Sequence, residues 1–248
     1  MERNVLRVGS FNVRNARAFD GLNSWPFRRR TTARVAASLR ADLLGVQEAY
    51  GCQVRYLVTH GGDVRAFGDG RGTNRSGEHC AVLVSSSIDV VEHHTRWFGD
   101  TPDTPGTRLE GASFPRIATT VVVNNHGAPL SFTNTHLDQR SSKLRRRSVT
   151  QLLEWLDLAQ PQVIVGDFNA APDDALFDTL ADARFRNAFP PNAPGTFHGF
   201  TGTAHGPPID FILVNEHVEV VDARVVVREP GARLASDHWP LVADLTTR

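Results

Sequence analysis

Apolar residues fall along the chain in short runs rich in Val, Ile, Leu and Phe. These runs predict strands over residues 5–11, 42–47, 80–84, 88–92, 117–123, 129–135, 162–166, 210–214, 218–227 and 240–245. Four other stretches show a helical period, over residues 26–40, 50–60, 141–159 and 173–181. Pro26 suits the opening of the first helix, where its missing N–H has no partner to lose. Ser141 or Ser142 suits the N-cap of the third, accepting from a first-turn amide. In that helix Leu144, Val149, Leu152, Leu153, Trp155 and Leu156 form an apolar stripe, and Arg145, Arg146 and Arg147 begin a solvated face.

Strands come from both ends of the chain with few helices between them, so an alternating strand–helix wind fits poorly. Two packed sheets with helices on their outer faces fit better. No linker, repeat or low-complexity segment divides the chain, and we expect a single domain over residues 1–248. Irregular stretches at 66–79, 95–115 and 187–208 have the length of functional or mobile loops. The glycine-rich segment Gly68–Gly77 reads as a mobile surface loop, and Trp97 and Phe98 as either core residues or a stacking platform.

Composition narrows the class without naming an activity. The chain has 248 residues, 40% hydrophobic and 22% charged, enough for a sizeable core. Its formal net charge is +0, so no global field draws a polyanion, and affinity for nucleic acid must come from a local patch. Cys52 and Cys80 lack metal-ligand spacing and make no disulfide scaffold. No run reaches the ~20 apolar residues of a membrane span. The N-terminal residues show no signal-peptide core, so the expectation is a cytoplasmic monomer without a membrane span.

The chemistry-bearing residues sit where apolar runs end. Asn12 follows Leu6–Phe11, and Glu48 follows Leu43–Gln47. Asn134 and His136 close residues 130–136, and Asp167 and Asn169 follow Val163–Gly166. Asp210 opens a strand after Pro208-Ile209, and Ser236-Asp237-His238 precedes Trp239. Any one of these is also a turn former, a cap or a solvated strand end. Together they make a pocket of carboxylates, amides and imidazoles, suited to a hard divalent cation and a phosphate ester. Adjacent Asp237 and His238 diverge on extended chain, so Asp210 is the more natural partner for His238. No G-x-S-x-G elbow supports Ser236 as a nucleophile, and no P-loop is present.

In this order the motifs Asn12, Glu48, Asn134-Thr-His136, Gly166-Asp167-Phe-Asn169, Ile209-Asp210 and Ser236-Asp237-His238 resemble those of the endonuclease/exonuclease/phosphatase (DNase I-like) superfamily. Residues 101–105, 115–119 and Gly195-Thr-Phe-His198-Gly199 look like one uncharacterised bacterial branch. The resemblance implies an α/β fold, a four-layer α/β/β/α sandwich of two packed, mostly antiparallel sheets with outer helices. It implies a phosphoesterase using Mg²⁺ (or Mn²⁺), with Glu48, Asn12 and Asp237 at the metal. Asp167 and Asn169 would activate and orient water, Asp210 would support His238, and His136 would be a second phosphate contact. Arg116, Asn134 and His198 are further substrate or phosphate contacts on this reading. The substrate would be a phosphorylated small molecule or a nucleic acid, with a catalytically inactive phospho-ligand binder as the alternative. His136 stands where the AP-endonuclease branch carries tyrosine, and Pro207-Pro208 stand where many relatives place a basic residue.

Overall fold

A computed structural model of the chain describes residues 5–125, 127–228, 231 and 233–248. Met1–Asn4, where the signal-peptide reading falls, lies outside them. Among the described residues, twelve strands form two six-stranded sheets. The first sheet holds, in spatial order, β11 (Val218–Val225), β12 (Leu241–Thr247), β1 (Leu6–Asn12), β2 (Leu43–Tyr50), β4 (Glu78–Ser85) and β3 (Val64–Phe67). The second holds β5 (Val90–Trp97), β6 (Ile117–Asn125), β7 (Ala128–His136), β8 (Gln162–Asp167), β10 (Asp210–Val214) and β9 (Arg186–Asn187). Pairs β1–β2 and β7–β8 are parallel and the remaining pairs antiparallel.

The apolar runs are continuous, rather than alternating, because both faces of each sheet are covered. Successive side chains point to opposite faces. Leu43, Val163 and Ile212 thus enter the core between the sheets, with Val8, Val82, Val121 and Phe132. Their neighbours Leu44 and Ile164 point outward. Leu44 meets Ala33 and Ala36 of α1 (Trp25–Ser38) and Leu57 of α2 (Gly51–His60). Ile164 meets Leu144 and Leu152 of α3 (Ser142–Glu154) and Leu180 of α4 (Leu176–Asp182). The layers therefore run helix, sheet, sheet, helix.

Pro26 lies in the first turn of α1, and Ser141 caps α3 by accepting from Leu144 N at 3.3 Å. Several elements differ from the sequence expectation, β9 among them, which its two residues left unsignalled. Strand β5 runs on to Trp97 through Glu92-His-His-Thr-Arg96, polar residues tolerated because the strand is an edge. Helix α3 stops at Glu154 rather than 159, where the Asp157 side chain accepts from Ala159 N and Pro161 follows. Strand β3 was hidden by its mixed sequence, Val-Arg-Ala-Phe. Trp97 and Phe98 are core residues, each 1% exposed. Both cysteines are free, and no helix among the described residues is long and apolar enough to cross a membrane.

The segment 66–79 is held in place. Trp97 Nε1 donates to the Arg71 carbonyl at 2.7 Å. Gly106, at φ +84°, lies so close to Thr73 that a Cβ there would sit 3.0 Å from the Thr73 backbone. The loops 66–79 and 95–115 therefore pack as one wall.

At one end the two sheets are joined by polar side chains. Gly45 lets them close, since a Cβ there would lie 2.6 Å from Val165 Cγ2 and 2.8 Å from Asn134 Cγ. Asn134, fully buried, donates to the carbonyls of Val46 and Ala81 at 3.0 and 2.8 Å and accepts from Gln47 Nε2 at 2.6 Å. Replacing it strands two carbonyls and an amide between the sheets. Asn134→Ala is expected to lower stability by about 2–4 kcal/mol, read as a shifted midpoint in urea unfolding.

Candidate active site

Strand register builds the first half of the site. His136 pairs with Asp167 across β7–β8, and Asp167 pairs with Asp210 across β8–β10. Three chemistry-bearing residues thus stand in a row at the mouth of the second sheet. Across the seam, β1 ends on Asn12, whose Nδ2 donates to Glu48 Oε1 at 3.0 Å and to Asp167 Oδ2 at 2.9 Å. One amide therefore ties a carboxylate of each sheet. Its Oδ1 accepts from Arg14 N at 2.9 Å, and the flipped amide would set oxygen against two carboxylates.

Glu48 does not end β2 as the apolar run suggested. The strand continues to Tyr50, and its register with β4 slips between Val46 and Ala49. Glu48 sits in this bulge at φ +60°, a conformation costly for a non-glycine residue and typical of functional sites. The bulge leaves Glu48 out of the ladder and frees its side chain for the cleft. Oε2 accepts from both Asn15 N and Asn15 Nδ2 at 3.0 Å. Burial opposes its charge, but the hydrogen bonds from Asn12 and Asn15 and the nearby His238 imidazolium hold the carboxyl well below the ordinary range.

Asp167 accepts from Asn169 N through Oδ1 at 2.9 Å. Burial first, and then the neighbouring Asp210, push its carboxyl up to about 7. Asn169, at φ +49°, donates from Nδ2 to the Leu137 carbonyl at 3.1 Å and meets His136 Nε2 at 2.9 Å. Because Nδ2 must donate to that carbonyl, the imidazole accepts at Nε2 and carries its proton on Nδ1. Burial, and then Arg116, lower the His136 pKa well below the ordinary value, consistent with a neutral ring.

His238 comes from the segment before β12, bridged antiparallel to Phe197. Its Nδ1 lies 2.8 Å from Asp210 Oδ2, and its Nε2 lies 3.9 Å from Asp167 Oδ2. Burial favours the neutral ring, but the charge and hydrogen bond of Asp210 prevail and push the pKa up to about 10. Thr196 Oγ1 accepts from Ile209 N and Asp210 N at 3.0 and 3.1 Å, fixing the strand end that carries Asp210. Asp237 lies alongside, its Oδ2 3.5 Å from Arg14 Nε, and burial pushes its carboxyl up. Ser236 donates its hydroxyl to the Asn12 carbonyl at 2.6 Å and lies 3.1 Å from Asp237 Oδ1, so it pins two segments together.

The remaining candidates fall in different places. Arg116, just before β6, is 7% exposed and near His136 and Asp167. His198 packs its ring 4.2 Å from that of Trp239 and accepts from Gly202 N. Burial, and then His238, push its imidazole down to about 4. Asn134 is not brought to the cleft: its amide is used up between the sheets, so a direct phosphate contact does not fit its position. Arg145 of the arginine run pairs with Asp174 at 2.5 Å.

Several residues escaped the sequence reading. Asn15 and Arg14 stand in Phe11-Asn-Val-Arg-Asn15, immediately after the first motif, and their proximity was the available signal. Arg28 had none, because it reads as an ordinary polar residue of α1. Fully buried, it donates to the carbonyls of Asn23, Val13, Arg14 and Ala235, binding the chain after Asn12 to the chain before Ser236.

The donor set fits a hard divalent cation. Glu48, His136 and Asp167 each offer a ligand atom within 4.8 Å of one another, as do Asp167, Asp210 and His238. The second trio already uses its Asp–His hydrogen bond internally, so the Glu48 side is the better cation site. There the donors are mainly oxygens, and carboxylates forced together by burial are relieved by positive charge.

The sequence model of the Endonuclease/Exonuclease/phosphatase family matches residues 9–238. The chain belongs to that family. Among solved structures it is similar to a family member from Bacteroides vulgatus, with 26% identity and TM-score 0.92, over 99% of this chain and 100% of the other. It is also similar to a mannosyl-6-phosphatase of Bacteroides thetaiotaomicron, with 25% identity and TM-score 0.88, over 97% and 99%. D. rerio TDP2, solved with a single-strand DNA product, shares the fold at 16% identity and TM-score 0.76, over 98% and 99%. Among curated proteins no sequence matches the chain significantly.

Asp210→Asn removes the charge that sustains the His238 imidazolium while keeping the shape. The His238 pKa is expected to fall steeply from about 10, as followed by NMR titration of the ring nitrogens in metal-free protein.

Proposed function

We propose that this chain is a divalent-metal-dependent phosphoesterase that hydrolyses a phosphate ester by in-line attack of an activated water. The observation that carries the reading is the row His136–Asp167–Asp210, with His238 bonded to Asp210 at 2.8 Å and Glu48 tied to Asp167 through Asn12. Membership in a family whose members hydrolyse phosphoester bonds supports it.

Glu48 and Asp237 are the residues that would hold Mg²⁺ or Mn²⁺, and Asn12 orients Glu48 and Asp167 through Nδ2 rather than ligating directly. The bound cation supplies Lewis-acid neutralisation of a phosphoryl oxygen. The chain's own groups do the rest. Asp167 carries a carboxyl near neutrality, suited to taking a proton from the attacking water. Asn169, held by the Leu137 carbonyl, orients that water beside Asp167. His238, protonated and fixed by Asp210, donates from Nε2 to a phosphoryl oxygen as charge grows there. His136 gives a second polar contact, and His198 lines the same end from the loop before β10. Most of the acceleration is positioning and electrostatics.

The test is hydrolysis of p-nitrophenyl phosphate and bis-p-nitrophenyl phosphate with Mg²⁺, with Mn²⁺ and with EDTA. Activity should vanish with EDTA and return with metal. Glu48→Ala and His238→Ala should each lower kcat/KM by about 10²–10³-fold, and His238→Ala should also lower the unfolding midpoint because it strands the buried Asp210 carboxylate. Full activity in EDTA would overturn the mechanism. Phosphate binding without turnover under any metal would instead make the fold a phospho-ligand binder.

A further inference from the structure

Arg116 is a buried cation without a partner. Its Nε is sealed from solvent and meets no acceptor, and no hydrogen bond or ion pair of its side chain is found among the described residues. Glu78 is close enough to favour its charge, but Glu78 is engaged by Arg71 at 2.9 Å. Burial of an unpaired guanidinium opposes folding, and the other buried arginine among the described residues does not show it. Arg28, equally buried, satisfies four carbonyls.

The position of Arg116 says what it serves. Ile117 of β6 follows it and leads the strand that pairs with β7, whose last residue is His136. The Arg116 carbonyl accepts from Phe98 N at 2.9 Å, which fixes the backbone at the cleft edge. Arg71 closes the outer side, its guanidinium 4.9 Å from the centre of the Phe114 ring. Arg116 thus stands near His136 and Asp167 with a second arginine close by.

We propose that Arg116 binds the third terminal oxygen of a phosphate monoester dianion, making monoesters the preferred substrates of this site. The inference rests on the phosphoesterase reading above and names its substrate class. A monoester near neutral pH carries close to two negative charges, and a diester carries one. The imidazolium of His238 and a bound divalent cation meet the charge that both classes share. Arg116 is one positive charge more, with Nε sealed and without an acceptor and the rest of the side chain largely buried, where charge is weakly screened. A diester sets an uncharged ester oxygen and its substituent where the monoester sets an anionic oxygen, and neither answers a buried guanidinium.

Three measurements on the whole chain test this. First, the ratio of kcat/KM for p-nitrophenyl phosphate to that for bis-p-nitrophenyl phosphate should favour the monoester, and Arg116→Met should lower that ratio about 10- to 100-fold. Arg116→Lys should recover part of it, since it restores charge without the planar fork. Second, isothermal titration of EDTA-treated protein at pH 8 should show inorganic phosphate bound more tightly than dimethyl phosphate. Arg116→Met should abolish that difference. Third, Arg116→Met should melt at or above the parent's temperature without ligand and lose the phosphate-induced rise. A parent enzyme that prefers the diester, an unchanged ratio in Arg116→Met, or a large fall in its melting temperature would overturn the proposal. Should no ester turn over, the phosphoesterase reading fails, and the two phosphate titrations still decide the role of Arg116.

Discussion

Two apolar sheet faces have no intrinsic register against each other, and here a few buried amides supply it. Asn134 reaches two carbonyls of the first sheet, Gln47 reaches back to Asn134, and Asn12 holds a carboxylate from each sheet. Hydrophobic burial is non-directional and would accept small slips of one sheet over the other. Directional bonds between buried polar groups do not, because a slip leaves each of them unsatisfied. The seam lies at the end where Glu48 and Asp167 must meet across the sheets. The contact that fixes the packing therefore also fixes the distance between the two halves of the site.

The site concentrates negative charge that the fold alone does not neutralise. Asp167 and Asp210 are neighbours in register, and Asp237 and Glu48 approach from the other sheet. The fold distributes this strain unevenly. Asp210 is matched by His238, Glu48 is held ionised by amides, and Asp167 is left near the pH at which it can exchange a proton. Groups of one chemical type thereby acquire separate behaviours from their surroundings.

Much of this was legible in the sequence. Strand positions followed from apolar runs, and the layer order followed from strands arriving from both chain ends. The order of the polar motifs located His136, Asp167, Asn169, Asp210 and His238 at strand ends, where the structure brings them together. What was hidden depended on tertiary contact. Asn134 carries the same local signature as a cleft residue, and only the approach of β2 at Gly45 turns it inward to the seam. Glu48 looks like a strand terminus because a bulge has no signature in a single sequence. Arg28 is indistinguishable from a surface arginine until burial shows it satisfied, and Arg116, singled out by its place in Pro-Arg-Ile-Ala, gave no sign in the sequence of a buried Nε without an acceptor.

The wall made by residues 66–79 and 95–115 has an evolutionary reading. Trp97 grips the Arg71 carbonyl, and Thr73 packs on Gly106 with no space for a side chain. An insertion in either loop alone would break that grip and pull Arg71 away from Phe114. A change in one loop therefore calls for a matching change in the other, so relatives that differ in one segment should differ in both as a matched pair. The carboxylates and imidazoles carried on the strand ends can stay as they are while the rim beside them is exchanged.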